Sequence, residues 1–257
     1  MCNRLCRWGL AVVAALTLGA GTAGSQPLAI AAASDLQAVL PELAQQFEAQ
    51  EARPVRLTFG SSGHFVSQIA QGAPFDLFLS ADVEYPRALV ASGRAERDSL
   101  YEYAVGRLVV WSRHDSGVDV GRGLTVLDDA AVRRIAIANP QHAPYGRAAI
   151  AALETAGLHA RLRHKLVLGE NISQAAQFVQ SGNAQVGLLA LSLALAPALQ
   201  RTGRYALVPE SAHPPIHQAA VVITGSRHAA LARRFLEFLK SGPVVARLRA
   251  AGFARPE

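Results

Sequence analysis

Three serine hydroxyls are the groups of this chain best placed to do chemistry, because each stands where an apolar run breaks toward a helix. Ser34 follows L-A-I-A-A-A (28–33), and Ser61 and Ser62 follow V-R-L-T-F-G (55–60) and precede Gly63. Helix starts carry N–H groups without intrahelical acceptors and the positive end of the helix dipole, so they hold anions. A serine there adds its hydroxyl to the backbone donors. The glycines around Ser61 and Ser62 let the backbone turn tightly and expose several N–H groups together. The chemistry implied is capture of a small oxyanion by neutral donors. The plainer alternatives are an N-cap at Ser34 and an ordinary turn at 60–63.

Two further junctions of the same kind lie in the second half. Asn139-Pro140-Gln141-His142-Ala143-Pro144-Tyr145-Gly146 is stiffened by two prolines and brings a phenol to a helix start. Gly169-Glu170-Asn171-Ile172 offers Asn171 as an N-cap and the backbone N–H of Ile172. Each is weak alone. Two junctions in each half point to one anion gripped from both sides.

Other chemistries find less support. G-S-S-G-H (60–64) does not match the G-x-S-x-G elbow of serine hydrolases. His64, His142 and His217 lack a metal spacing such as H-x-x-x-H, which argues against zinc. There is no Walker A lysine motif and no G-x-G-x-x-G. Asp76, in P-F-D-L-F-L-S-A-D, reads as a structural carboxylate at a strand end.

The elements that must position these residues alternate between short apolar strands and amphipathic helices, the pattern of an α/β fold with mostly parallel sheets. A helix after Ser34 should bury Leu36, Leu40, Leu43 and Phe47, with Pro41 kinking an early turn. Strands are expected near 55–59, 75–80, 108–111, 134–138, 165–168, 186–189, 205–208 and 218–224. Helices are expected near 85–92, 145–156, 172–180 and 191–199, with two more from Ala229 onward. No linker separates the halves, so the chain should cross between two lobes on strands and return, leaving a hinged cleft at strand carboxyl ends.

The first 25 residues read as a secretory signal. Arg4 and Arg7 form the basic region, Leu10 to Leu18 the apolar core, and small residues follow from Gly21 to Ser25. The apolar core is short for a membrane span. Cys2 and Cys6 both lie in this segment, so the mature chain would hold no thiol, no disulfide and no cysteine ligand. Cleavage there leaves about 232 of the 257 residues, enough for two lobes with real cores. The formal charge of +6 falls to +4 with the two arginines. Scattered basic residues and only 6% aromatics argue against nucleic-acid binding.

Six segments, taken together, resemble the periplasmic molybdate-binding proteins of ABC importers. They are A-A-A-S-D-L (31–36), F-G-S-S-G (59–63), I-A-Q-G-A-P-F-D-L-F-L-S-A-D (69–82), G-R-L-V-V-W (106–111), N-P-x-x-A-P-Y-G-R-A-A (139–149) and E-N-I-S-Q-A (170–175). They span nearly the whole mature chain in family order, and 71–82 is the most distinctive. The resemblance implies a two-lobed type II binding-protein fold with an interlobe anion cleft. It implies lobe one at 26–104, lobe two at 105–203 and a return to lobe one at 204–257.

By the same resemblance Ser34 and Ser62 would bind molybdate or tungstate through hydroxyl and backbone. Tyr145 would donate from the lobe-two loop and Ile172 through its N–H. Asp35, Ser61 and Asn171 are secondary candidates, with the Asp35 carboxylate expected to turn away and cap its own helix. Many members carry a tyrosine where this chain has Ala190, and Tyr145 is the residue that could supply that phenol. No cofactor and no resident metal are implied. The implied partners are a membrane permease and its ATPase, and the implied setting is the periplasm, with a monomer sufficient for the task.

Two rivals differ in class. A transferase on the same plan, such as a porphobilinogen deaminase, would need a cysteine that the mature chain lacks. A binder of sulfate, phosphate or a small carboxylate would keep the fold, and for a carboxylate Arg147 is the candidate partner.

Overall fold

The computed structural model describes residues 26–256; the expected signal segment, with both cysteines, lies outside them. None of the described helices is long and apolar enough to cross a membrane. In chain order β1 (Leu28–Ala33) passes through a 3-10 turn (Ser34–Leu36) into α1 (Leu40–Glu51). Next come β2 (Val55–Gly60), α2 (Ser62–Ala70), β3 (Leu77–Ser80), α3 (Glu84–Ala91) and β4 (Tyr101–Gly106). Then follow β5 (Leu108–Arg113), β6 (Ile135–Ala138), α4 (Pro144–Thr155), α5 (His159–Leu162), β7 (Leu166–Gly169) and α6 (Ile172–Gln180). The run ends with β8 (Val186–Ala190), α7 (Leu191–Ala194), α8 (Pro197–Thr202), β9 (Gly203–Leu207), β10 (Ile216–Val222), α9 (Ala229–Lys240) and α10 (Gly242–Ala250).

These strands form two five-stranded sheets, ordered β2-β1-β3-β10-β4 and β7-β6-β8-β5-β9. In each sheet four strands run one way and one runs against them: β10 in the first, β5 in the second. Only Arg107 separates β4 from β5, so the outward crossing is a single extended passage between sheets. The return crossing falls between β9 and β10. The boundary expected at 203/204 is therefore corrected, because β9 pairs with β5 and stays in the second sheet.

Strand β1 is buried along its whole length and serves two cores. Leu28 and Ile30 pack with Phe47 of α1 and Phe235 of α9, whose rings meet edge to face at 4.8 Å. Ala31 faces Phe65 of α2 and Phe78 of β3 on the other side. The second lobe has its own core, built on β5, β6 and β8 with Leu153 and Val179 from the flanking helices.

The long helix expected after Ser34 is instead a short 3-10 turn followed by α1. Pro41 causes no kink, because it occupies the first turn of α1, where its missing N–H is not needed. Leu36, Leu40, Leu43 and Phe47 are all buried regardless. The single helix expected over 191–199 is two short ones, separated where Pro197 opens the second.

Candidate functional site

The strand order brings the carboxyl ends of β1, β2, β6 and β7 to the seam between the lobes, where the residues expected to bind the oxyanion gather. Ser34, Asp35, Ser61, Ser62, Tyr145, Asn171 and Ile172 all line one small cavity between the lobes. Ala33, Gly60, Ala81, Ala143 and Pro144 complete its wall. The lining has no lysine or arginine. Its only charged side chain is Asp35.

Ser62 is the first residue of α2, and its buried hydroxyl accepts the Ala81 N–H at 3.0 Å. That leaves its own O–H proton available to an acceptor in the cavity. Ile172 opens α6. Asn171 caps that helix by accepting from the N–H groups of Ser173 and Gln174, both at 3.0 Å. The cap serves the second and third N–H groups and leaves that of Ile172, at the cavity wall, without an intrahelical acceptor. Ser34 begins the 3-10 turn and is buried at the cavity wall. Tyr145 stands in the first turn of α4, directly after Pro144. Two lobes thus contribute two helix starts each.

Two secondary candidates turn out to have other work. The Asn171 side-chain oxygen is committed to the α6 cap and so orders the helix that presents the Ile172 N–H. Ser61 donates to the His142 carbonyl oxygen at 2.5 Å and receives the His142 ring Nδ1 at 2.9 Å, which ties α2 to the loop before α4. Gly63 N–H joins the same carbonyl at 3.0 Å. A Cβ on Gly63 would stand 2.7 Å from that oxygen, so only glycine allows this approach.

Asp35 also departs from expectation. Its carboxylate meets the N–H groups of Asp35 and Leu36 in its own turn, yet it does not turn away from the lobe seam. Its carboxylate reaches inward, where Gln218 of β10 donates to Oδ2 at 2.6 Å, while Oδ1 is buried without a hydrogen-bond partner. Gln218 also donates to the Tyr145 hydroxyl at 3.3 Å and accepts from the Tyr103 hydroxyl at 2.8 Å. Burial pushes the Asp35 carboxyl from 3.8 to about 6, against the donors Gln218 and Tyr145 that pull it down. Burial, and then the neighbouring Asp35, raise the Tyr145 phenol well above its usual range. Gln218 had no sequence signal, since nothing local to β10 marks it.

The Tyr145 phenol lies over Gly106, at the end of β4. Ala190 is buried and pairs with Leu108, two residues further on. Arg147 stays out of the cavity, which corrects its candidacy as a carboxylate partner. It pairs with Asp82, donates to the Tyr85 hydroxyl at 2.9 Å and lies over the Tyr85 ring. It therefore fastens α4 to the first lobe. Ser192 of α7 makes a further bond between lobes, donating to the Asp35 carbonyl oxygen at 2.7 Å. The lobes are closed.

The remaining sequence candidates are placed as follows. Asp76 accepts from the Ala29 N–H at 2.7 Å and from the Ser226 hydroxyl at 2.6 Å, as a strand-end anchor. His217 lies apart, beside Glu102. His64 and His142, far apart in sequence, stack at 3.8 Å next to Glu170. The spacing argument against a metal does not reach this group, because sequence spacing is blind to contacts between lobes.

The chain matches the bacterial extracellular solute-binding protein family over residues 28–254. It is 38% identical to the molybdate-binding protein ModA of Rhodobacter capsulatus over 244 residues, covering 95% of this chain and 93% of that protein. To ModA of Azotobacter vinelandii it is 37% identical over 242 residues, covering 93% and 95%. The solved Azotobacter vinelandii periplasmic molybdate-binding protein superposes with a TM-score of 0.84 at 35% identity, over 90% of this chain and 100% of that one.

Proposed function

The chain belongs to the bacterial extracellular solute-binding protein family, beside its molybdate-binding members, and on that premise we propose that it captures molybdate, and tungstate with it, for import. The observation that carries this reading is a cavity closed by both lobes, lined by hydroxyls and helix starts and free of lysine and arginine. Such donors suit an oxyanion that keeps no proton at neutral pH. Each hydrogen bond to a charged acceptor contributes about 1.5–3 kcal/mol net, so five or six offset desolvation and closure. Ser34, Ser62 and the N–H of Ile172 are the donors proposed, with Tyr145 giving its backbone N–H or its phenol.

The work is binding and release rather than turnover, and it needs no cofactor. The closed lobes would dock on a membrane permease driven by its ATPase, with the protein acting as a periplasmic monomer. The ligand stabilises closure by its greater affinity for the closed form. Sulfate would be rejected by cavity size.

Asp35 favours one second reading. Its unpaired buried Oδ1 could accept the proton of a hydrogen phosphate, which a donor-only site would leave unmatched. Calorimetric titration of residues 26–257 with molybdate, tungstate, sulfate and phosphate separates the two. Tight binding of the first two alone is expected. Phosphate binding with molybdate silent would transfer the site to the second reading.

A further inference from the structure

We propose that His64, His142 and Glu170 form a divalent transition-metal site that bridges the lobes above the anion cavity. His64 lies on α2 of the first lobe. His142 and Glu170 lie on the loops before α4 and α6 of the second. Each is within three residues of a cavity residue: Ser62, Tyr145 and Ile172 in turn. Potential ligand atoms of the three side chains lie within 4.8 Å of one another. The two rings stack with centroids 3.8 Å apart, and His142 Nε2 is 3.8 Å from Glu170 Oε2.

The hydrogen bonds of Ser61 fix which His142 nitrogen is free. The single Ser61 hydroxyl proton goes to the His142 carbonyl oxygen, so the same oxygen can only accept from the ring at Nδ1. The neutral ring is therefore protonated at Nδ1 and carries its lone pair at Nε2, facing the Glu170 carboxylate. Two electron-pair donors set face to face call for a cation between them. The Ser61 bond is the kind of outer contact that orients a metal-bound imidazole.

Two imidazoles and a carboxylate suit Zn²⁺, with water as a fourth ligand. Zinc requires nitrogens at about 2.0–2.1 Å, so the stacked rings would turn to aim their nitrogens at one point. Because the ligands come from both lobes, the complete site exists only when the lobes are closed. The metal would act as a lock.

The test uses chelator-treated residues 26–257 without any oxyanion, so it is independent of the molybdate reading. Calorimetry with Zn²⁺ alone should show one ion per chain, weakened at least tenfold in His64→Ala and in Glu170→Gln. His64 is exposed, so its replacement leaves the fold intact. Zn²⁺ binding that both variants leave unchanged, or no binding, overturns the site. Small-angle scattering should show the wild-type chain contracting on Zn²⁺ and His64→Ala not contracting. Binding without contraction overturns the lock.

Discussion

Gln218 and Asp35, 183 residues apart in the chain, are joined by a buried 2.6 Å hydrogen bond beneath the anion cavity. Gln218 stands on β10, the strand by which the chain returns to the first lobe. Asp35 stands beside Ser34, and Tyr145 of the second lobe touches the same amide. One side-chain amide thus connects both lobes to the floor of the site.

Asp35 should make oxyanion binding depend on pH. Its carboxyl is raised from 3.8 to about 6 by burial, a difference worth about 3 kcal/mol. A raised carboxyl favours the protonated folded form, so its stabilisation is full below about pH 4 and is lost as pH rises through about 6. A bound dianion disfavours the ionised carboxylate further. Binding should therefore take up protons and tighten as pH falls from 8 toward 6. Calorimetry in buffers of different ionisation enthalpy checks this, and Asp35→Asn should flatten the slope. An unchanged slope in the variant would place the titrating group elsewhere.

Ser62→Ala removes one hydroxyl donor while α2 keeps its N-terminal N–H groups. Molybdate affinity should fall by about tenfold or more, the equivalent of one hydrogen bond to a charged acceptor. The melting temperature should drop modestly, because the Ala81 N–H loses its acceptor. Undiminished affinity would remove Ser62 from the donor set.

How far the sequence revealed this site depends on the range of the contact concerned. Gly60-Ser61-Ser62-Gly63 and Asn171-Ile172 announce helix starts through local chemistry, and those starts lie where expected. What each side chain bonds to was not legible. Ser61 finds His142 81 residues away, and Arg147 finds Asp82 65 residues away. Such pairings follow from the sheet order, which no short window encodes. β9 misled for the same reason, since only its ladder with β5 decides which lobe it joins. Gln218 left no trace because a buried glutamine is unremarkable until its partners are known.

Gly106→Ala tests the crossing. A Cβ there meets the Tyr145 phenol and stands 2.8 Å from Gln218 Nε2. Overpacking of this kind costs about 1–3 kcal/mol, here charged to the closed form. Ligand affinity should fall about tenfold, and scattering should show a larger radius of gyration at equal ligand concentration. A variant that closes and binds normally would mean the phenol can move aside at no cost.

Arg147→Ala opens the clasp to Asp82 and Tyr85 without touching the cavity. The pair is partly exposed, so the effect should be small, of order 0.2–1 kcal/mol. It should appear as faster ligand release, a few-fold at most, with the association rate little changed. A large loss of affinity would mean that Arg147 reaches the ligand.

The proposed ligand is an oxyanion held on neutral donors in the interlobe cavity. Anomalous diffraction at the molybdenum edge from crystals grown with molybdate tests it directly. A single molybdenum peak is predicted, within hydrogen-bond distance of the Ser34 and Ser62 hydroxyls and the Ile172 N–H. A peak instead in the outer groove lined by Arg56, Arg94 and Arg227, at the opposite end of β1, would contradict it.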